Sequence, residues 1–390
     1  MPRPVPRIVL IAGEPSGDVL GARLMAALRR ATGGEVVLEG IGGEQMAAAG
    51  LASRFPMDAL SHMGMVELLP HLPGLLRRLR ETTDWLRQAP PDLLITIDAP
   101  GFCLRLARRL RGSGIPVLHY VAPTVWAWKP GRAARIAELC DHLLALLPFE
   151  PPYFTRHGLA CTYVGHPALE TMAGTPDGAG FRSRHGIPAG APLLCLLPGS
   201  RAGELKRLLP PFTEAVRHIG QRHPDLRVVL PTVAPVAELV RAQVAGLGLP
   251  GTVIADPAAK RDAFAASDAA LAASGTVAVE LAVVGTPAVI AYRANPISAA
   301  IARRLIKVKY ASLVNLLIDR AATPELLQEN CRPELMAEAL DRLLGDPQAR
   351  AAQRAGYAEA LARLAVEERP SDRAAAVALR MIAEHRDKAG

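Results

Sequence analysis

The stretch PLLCLLPGSRAGEL, residues 192–205, decides the fold. It reads as a buried strand, Pro192–Leu197, broken at Pro198-Gly199, that enters a helix at Glu204 running to Arg222. An apolar run without polar alternation suits a strand covered on both faces, as in a parallel sheet flanked by helices. Downstream the alternation continues with strand Arg227–Pro231, helix Ala237–Gly246, strand Thr252–Ala255, helix Asp262–Ser267 and strand Ala269–Ala273. Upstream there is an earlier series: strand Arg7–Ala12, helix Asp18–Arg30, strand Glu35–Gly40, strand Asp92–Ile97, helix Leu104–Arg111 and strand Pro116–Val121. Between the two series, Glu170–Gly190 is rich in Gly, Pro and polar residues and reads as a boundary. The expected fold class is therefore α/β, with two Rossmann-like doubly wound domains facing a cleft and a C-terminal helical tail. The expected divisions are a first domain at 1–168, a linker at 169–190, a second domain at 191–332 and C-terminal helices at 333–390.

Composition excludes several classes. Half of the 390 residues are hydrophobic and 21% are charged, enough apolar material for two cores. Arg3 and Arg7 precede a short apolar run, but Gly13-Glu14-Pro15 ends it too soon for a signal peptide. Ala269–Tyr292 is weakly polar, yet Ser274, Gly275, Glu280 and Gly285 interrupt it, so it reads as helix and strand rather than a membrane span. The five cysteines are widely spaced with no CxxC, against a disulfide framework or a zinc site. A cytoplasmic protein without a metal or other cofactor is expected. The net charge of +8 gathers in clusters such as Arg77-Arg78-Arg80 and Arg105–Arg111, which suit anionic lipid or nucleic acid, or are solvated helix faces. No recognition-helix, zinc-finger or RRM pattern accompanies that charge, so nucleic acid is not an expected partner.

Ligands of doubly wound sheets bind at the carboxyl ends of strands, so the loops there carry the argument. After the first strand, Gly13–Asp18 offers Glu14, Ser16 and Asp18, which could contact a ligand or cap the next helix. Asp98 ends the Asp92–Ile97 strand, where a general base would be held by a rigid element, or where a carboxylate caps a helix or makes a loop hydrogen bond. His119–Lys129 carries Trp126 and Trp128 beside basic residues, suited to a sugar or acyl chain, or to packing. Gly199, Ser200 and Gly203 would bare backbone N–H groups at a helix start, with Arg201 adding charge and Glu204 close by, a natural diphosphate site. No Gly-Lys-Ser/Thr follows, so this is not an ATPase loop. Ser274, Gly275 and Thr276 repeat the theme, and Glu280 could accept ribose hydroxyls.

Taken in order, these motifs resemble the lipid-A-disaccharide synthase family, glycosyltransferases of the GT-B type. The resemblance runs through Gly13–Asp18, Met63–Glu67, Ile97–Phe102, His119–Trp128, Leu147-Pro148-Phe149-Glu150, Gly165-His166-Pro167, Leu197–Glu204, Ser274–Glu280, Tyr310–Leu316 and Pro324–Gln328. Pro15, Gly101 and Thr124 depart from the family pattern. The resemblance implies transfer of 2,3-diacylglucosamine from its UDP ester to 2,3-diacylglucosamine 1-phosphate, giving the β-1,6 lipid A disaccharide 1-phosphate and UDP. It makes Asp98 the general base and Arg201 the group that meets the leaving diphosphate. The nucleotide would lie on Gly199, Ser200, Arg201, Glu204, Ser274, Gly275, Thr276, Glu280 and Asn315, with Asn315 open to either nucleotide or acceptor phosphate. Glu14, Ser16, Asp18 and Trp126 would face the acceptor.

Both implied substrates carry acyl chains and lie at the inner face of the bacterial inner membrane. The apolar segment with a basic end, Met63–Arg80, fits an interfacial element with Met65, Leu72, Leu75 and Leu76 in contact with lipid, or a core helix with a solvated end. A peripheral protein results, and a homodimer stays open. The alternative on the same plan is another GT-B enzyme acting on a UDP-amino sugar, a 2-epimerase or a peptidoglycan-type glycosyltransferase.

Overall fold

The structure, a computed structural model, describes residues 5–60, 72–127, 131–233, 236–295 and 308–389. The chain forms two compact units, 1–167 with 366–390, and 168–365.

The first unit is built on a six-stranded sheet of order β2-β1-β3-β4-β5-β6. Its strands are β1 Arg7–Ala12, β2 Val37–Ile41, β3 Leu93–Ile97, β4 Val117–Tyr120, β5 His142–Ala145 and β6 Ala160–Tyr163, and every pairing is parallel. Alternate residues serve two apolar layers. Val9, Ile11, Leu94, Val117 and Leu143 face one core, and Ile8, Leu10, Leu93, Ile95, Leu118 and Leu144 the other. With both faces covered, the strands read as unbroken apolar runs.

The second unit has a six-stranded parallel sheet of order β12-β11-β10-β7-β8-β9. Its strands are β7 Leu193–Leu197, β8 Arg227–Pro231, β9 Gly251–Ile254, β10 Ala269–Ala273, β11 Ala288–Tyr292 and β12 Glu325–Leu327. Again two apolar layers flank it, one holding Leu194 and Leu196, the other Leu193, Cys195 and Leu197. The α/β class and the paired Rossmann-like plan read from the sequence are thus present in the two sheets.

The tail is divided where the sequence suggested one block. Helices Pro333–Gly345 and Pro347–Leu364 belong to the second unit, while Pro370–Ala389 belongs to the first. Ala374, Ala375 and Ala378 of that last helix are buried with Leu20, Leu24 and Leu28 of helix Pro15–Ala31, small residues allowing close approach. Arg386 also pairs with Asp92 at 2.9 Å. The stretch 169–190, read as a linker from its Gly and Pro content, holds helix Gly178–Arg184 instead. Asp177 caps it by accepting from the Gly180 N–H at 2.8 Å, and Phe181 is buried in the second unit's core. The composition that suggested a linker is that of a capped, tightly packed helix.

Candidate active site

Each sheet reverses its strand order at one place, and the crevice there receives ligands in doubly wound folds. In the first sheet it lies between β1 and β3, which run in register from Ile8 beside Leu93 to Ala12 beside Ile97. The Gly13–Asp18 and Asp98–Gly101 loops therefore leave the sheet side by side. They are pressed together: a side chain on Gly13 would place its Cβ 2.6 Å from the Ala99 Cβ. Asp98 and Ala99 both take left-handed backbone, with φ of 52° and 44°. Backbone of that kind is costly outside glycine and gathers at functional sites. It turns the Asp98 carboxylate out of the sheet, half-buried, where it accepts the Ser16 hydroxyl at 3.1 Å. The Asp98 N–H donates to the Tyr120 carbonyl at 2.9 Å, fixing the loop to β4. Glu14 is buried at the start of the same helix. Asp98, Ser16 and Glu14 are thus brought to one edge.

Asp18 corrects the sequence reading. It is 4% exposed. Its carboxylate accepts the backbone N–H groups of Gly43 at 2.8 Å, Gln45 at 2.9 Å and Met46 at 3.0 Å. It caps the neighbouring helix Glu44–Ala48, which takes three of the carboxylate's four acceptor positions and turns it away from a role toward the acceptor. Asp18→Ala removes the partner of three N–H groups, of which that of Met46 is buried and those of Gly43 and Gln45 part-buried, and a buried donor left unsatisfied costs about 1–3 kcal/mol. Thermal unfolding should show a loss of about 1–3 kcal/mol, and a Tm at the wild-type value would refute the capping role.

In the second sheet the reversal lies between β7 and β10, where Leu197 stands beside Ala272. The two glycine loops leave the sheet together at this point. Gly199 has φ of 116°, a conformation that other residues rarely adopt. The loop delivers Ser200 and Arg201 to the start of the long helix Ala202–Arg222. The Arg201 guanidinium is half exposed. Glu204 folds back over the loop, accepting the Ser200 N–H at 3.3 Å and lying 3.7 Å from Arg201. Glu204 is thus the protein's own acceptor at that helix start, and its negative charge would oppose a phosphate there.

The loop after β10 carries Ser274, Gly275 and Thr276 into helix Val277–Val284. The Ser274 hydroxyl donates to the Ala311 carbonyl at 3.1 Å. Glu280 is mostly buried and pairs with Lys260 at 2.6 Å through one carboxylate oxygen. Lys260 carried no signal of its own in the sequence, because it sits on a different helix.

Asn315 is fully buried and also corrects the expectation. Its amide nitrogen donates to the Thr323 carbonyl and to Glu325, both at 2.7 Å. Its oxygen accepts the N–H groups of Ala322 at 2.9 Å and Thr323 at 2.8 Å. Two donors and two acceptances exhaust this amide. The Asn315 amide is committed to the protein's own backbone and Glu325, which speaks for a structural role. With Glu325, which accepts the Ala311 and Ser312 N–H groups, it holds the segment that Ser274 touches.

Trp126 is half-buried beyond β4, and its indole N–H donates to Glu150 at 3.0 Å. His119 lies fully buried on β4, its Nδ1 2.8 Å from the Thr96 hydroxyl, and burial lowers its pKa to about 4. It stays neutral in the core, as does His166. Among the described residues no cluster of three His, Cys, Asp or Glu side chains could hold a metal ion.

The membrane-facing set divides. Met65 lies outside the described residues, as does the Leu72 side chain. Leu75 is buried in the first core with Leu79 and Leu86 of helix Leu72–Gln88, so it does not meet lipid. Leu76, one position on, is 43% exposed beside Arg77 and Arg80. Among the described residues, no helix is long and apolar enough to cross a membrane.

The family model of the lipid-A-disaccharide synthetases (LpxB) matches residues 8–379. The chain is a member of this family. It is 54% identical to the lipid-A-disaccharide synthase of Rhodospirillum centenum over 95% of this chain and 93% of that one. It is 50% identical to the enzyme of the same name from Paramagnetospirillum magneticum over 98% and 99%. A lipid-A-disaccharide synthase is a glycosyltransferase of lipid A biosynthesis, and the loops above belong to such an enzyme. Among solved structures, the Neisseria meningitidis UDP-GlcNAc 2-epimerase bound to UDP-GlcNAc shares the fold with a TM-score of 0.63 at 13% identity, covering 97% of this chain and all of that one. Acinetobacter baumannii MurG does so at 0.57 and 16%, covering 96% and 99%.

Proposed function

We propose that this synthase transfers 2,3-diacylglucosamine from its UDP ester to the 6-hydroxyl of 2,3-diacylglucosamine 1-phosphate. Asp98 takes the proton of that hydroxyl as its oxygen attacks the donor's anomeric carbon. The bond from that carbon to the diphosphate breaks, and UDP leaves with the electron pair. The products are the β-1,6 disaccharide 1-phosphate and UDP. Arg201 and the N–H groups of the Gly199–Gly203 turn stabilise the charge growing on the diphosphate. Glu280, steadied by Lys260, accepts the ribose hydroxyls with its remaining oxygen. Ser16 and Glu14 line the acceptor side.

The observation that carries this reading is the near full-length identity to enzymes named for this product. The two sets of loops at the strand-order reversals support it. The solved structures of similar fold keep one rival in view, an epimerase acting on a UDP-amino sugar. Purified protein incubated with UDP-diacylglucosamine should leave it unchanged, and should form disaccharide and UDP once acceptor is added. Epimerised donor in the absence of acceptor would overturn the reading.

The substrates place the enzyme at the cytoplasmic face of the inner membrane. Of the apolar positions in the basic helix, Leu76 faces outward beside arginines suited to anionic headgroups. Leu76→Asp is expected to weaken sedimentation with anionic vesicles severalfold at unchanged Tm. Leu75→Asp, by contrast, should unfold the first unit by burying an unpaired charge. Equal vesicle binding by Leu76→Asp and wild type would remove this helix from the membrane contact.

A further inference from the structure

Glu150 follows β5 at the end of a tight turn and is 2% exposed. Three N–H groups converge on its carboxylate. Leu146 and Leu147 donate to Oε2, and the Trp126 indole donates to Oε1, all at 3.0 Å. The first two bonds close the turn. The third reaches into the segment after β4, and the Trp126 ring also meets Phe149 edge-on, with centroids 5.2 Å apart at 88°.

The segment it reaches is strained and adjoins the candidate base. Val121 has φ of 82°, an outlier for a β-branched residue. Such a conformation persists only where surrounding contacts over-determine it. Its near end is fixed by the N–H groups of Val121 and Ala122, both donating to the Leu144 carbonyl at 3.1 Å. The residue just before it, Tyr120, accepts the N–H of Asp98. The far end is fixed at Trp126. Oε2 serves the turn, and Oε1 is given to an indole from another loop.

We propose that Glu150 is a positioning residue for the transfer: through Trp126 it holds the segment 121–127 against the Asp98 loop and so sets where the acceptor sugar lies. This rests on the reading of Asp98 as the base toward that acceptor. Protonation would turn one acceptor oxygen into a donor, and one of the three N–H groups would lose its partner. Burial pushes the pKa up to about 7 against the pull of the three N–H groups. Cys161 and Tyr163 of β6 feel its charge, and burial raises the pKa of both; Arg373 bonds to the Tyr163 carbonyl at 3.1 Å. These leave Glu150 as the group that changes charge near neutrality.

The test compares wild type, Glu150→Gln, Trp126→Phe and the double variant for KM of acceptor, kcat, pH profile and affinity for UDP by calorimetry. Each single variant should raise the acceptor KM about tenfold, the scale of a hydrogen bond to a charged group. Affinity for UDP should be unchanged, and the double variant should be no worse than the poorer single one. The fall in kcat/KM on the acid side of pH 7 should vanish in Glu150→Gln. An unchanged acceptor KM in Trp126→Phe, which leaves the turn's own bonds intact, overturns the proposal even if Glu150→Gln fails to fold. The same acid limb in Glu150→Gln as in wild type also overturns it. A wild type that makes no disaccharide would instead refute the proposed function.

Discussion

Asp98→Asn is expected to lower kcat by about 10²–10⁴-fold, the usual contribution of a positioned general base, with both KM values little changed. Asn is the informative substitution. Asp98 sits at φ of 52°, and Asn tolerates left-handed backbone at least as well as Asp. Its amide oxygen can still accept the Ser16 hydroxyl that Asp98 accepts at 3.1 Å. The loop geometry is therefore kept while the proton acceptor is removed. Ala would confound the two, because it loses the Ser16 bond as well. Ser16→Ala should cost far less, since it removes a bond to the base and not the base. Turnover of Asp98→Asn within a fewfold of wild type, at an unchanged Tm, would exclude Asp98 as the base and leave family membership untouched.

What the sequence made legible was the kind of information that stays local. A strand, a glycine-bearing turn and a helix start lie within a dozen residues, so the loops at Gly13, Asp98, Gly199 and Ser274 could be placed before any contact was known. The structure adds that these four leave their sheets in neighbouring pairs, because β3 returns beside β1 and β10 beside β7. Roles set by distant partners were hidden. Asp18 looks like a ligand until Gly43, Gln45 and Met46 are seen to consume it. Asn315 looks like a binding amide until Ala322, Thr323 and Glu325 fill its four positions. Glu150 carried no visible task, since its indole partner comes from the previous loop. Leu72, Leu75 and Leu76 have the spacing of any amphipathic helix face, whether it lies on a core or on lipid. Burial of Leu75 beside exposed Leu76 separates the two, and the residue sequence does not.

Arg201→Ala should reduce kcat by about 10²–10³-fold, the effect of removing one charge-stabilising donor from a developing anion. The loss should appear in kcat more than in donor KM, because the diphosphate gains its charge as the anomeric bond breaks. Lys should restore part of it, as a point charge without the planar fork of the guanidinium. The fold should tolerate both changes, since the Arg201 side chain is half exposed and its pairing with Glu204 is loose, at 3.7 Å. That same pairing supplies an internal control. Glu204 lies on the Ser200 N–H and beside Arg201, the groups assigned to the diphosphate. A bound diphosphate must displace this carboxylate or endure its charge. Glu204→Gln is therefore expected to tighten UDP binding several-fold, opposite in sign to Arg201→Ala, and more so at low salt. Turnover of Arg201→Ala near the wild-type rate would move the leaving-group site elsewhere. Weaker UDP binding in Glu204→Gln would mean that the carboxylate holds the loop open for the nucleotide, and competition at this helix start would be wrong.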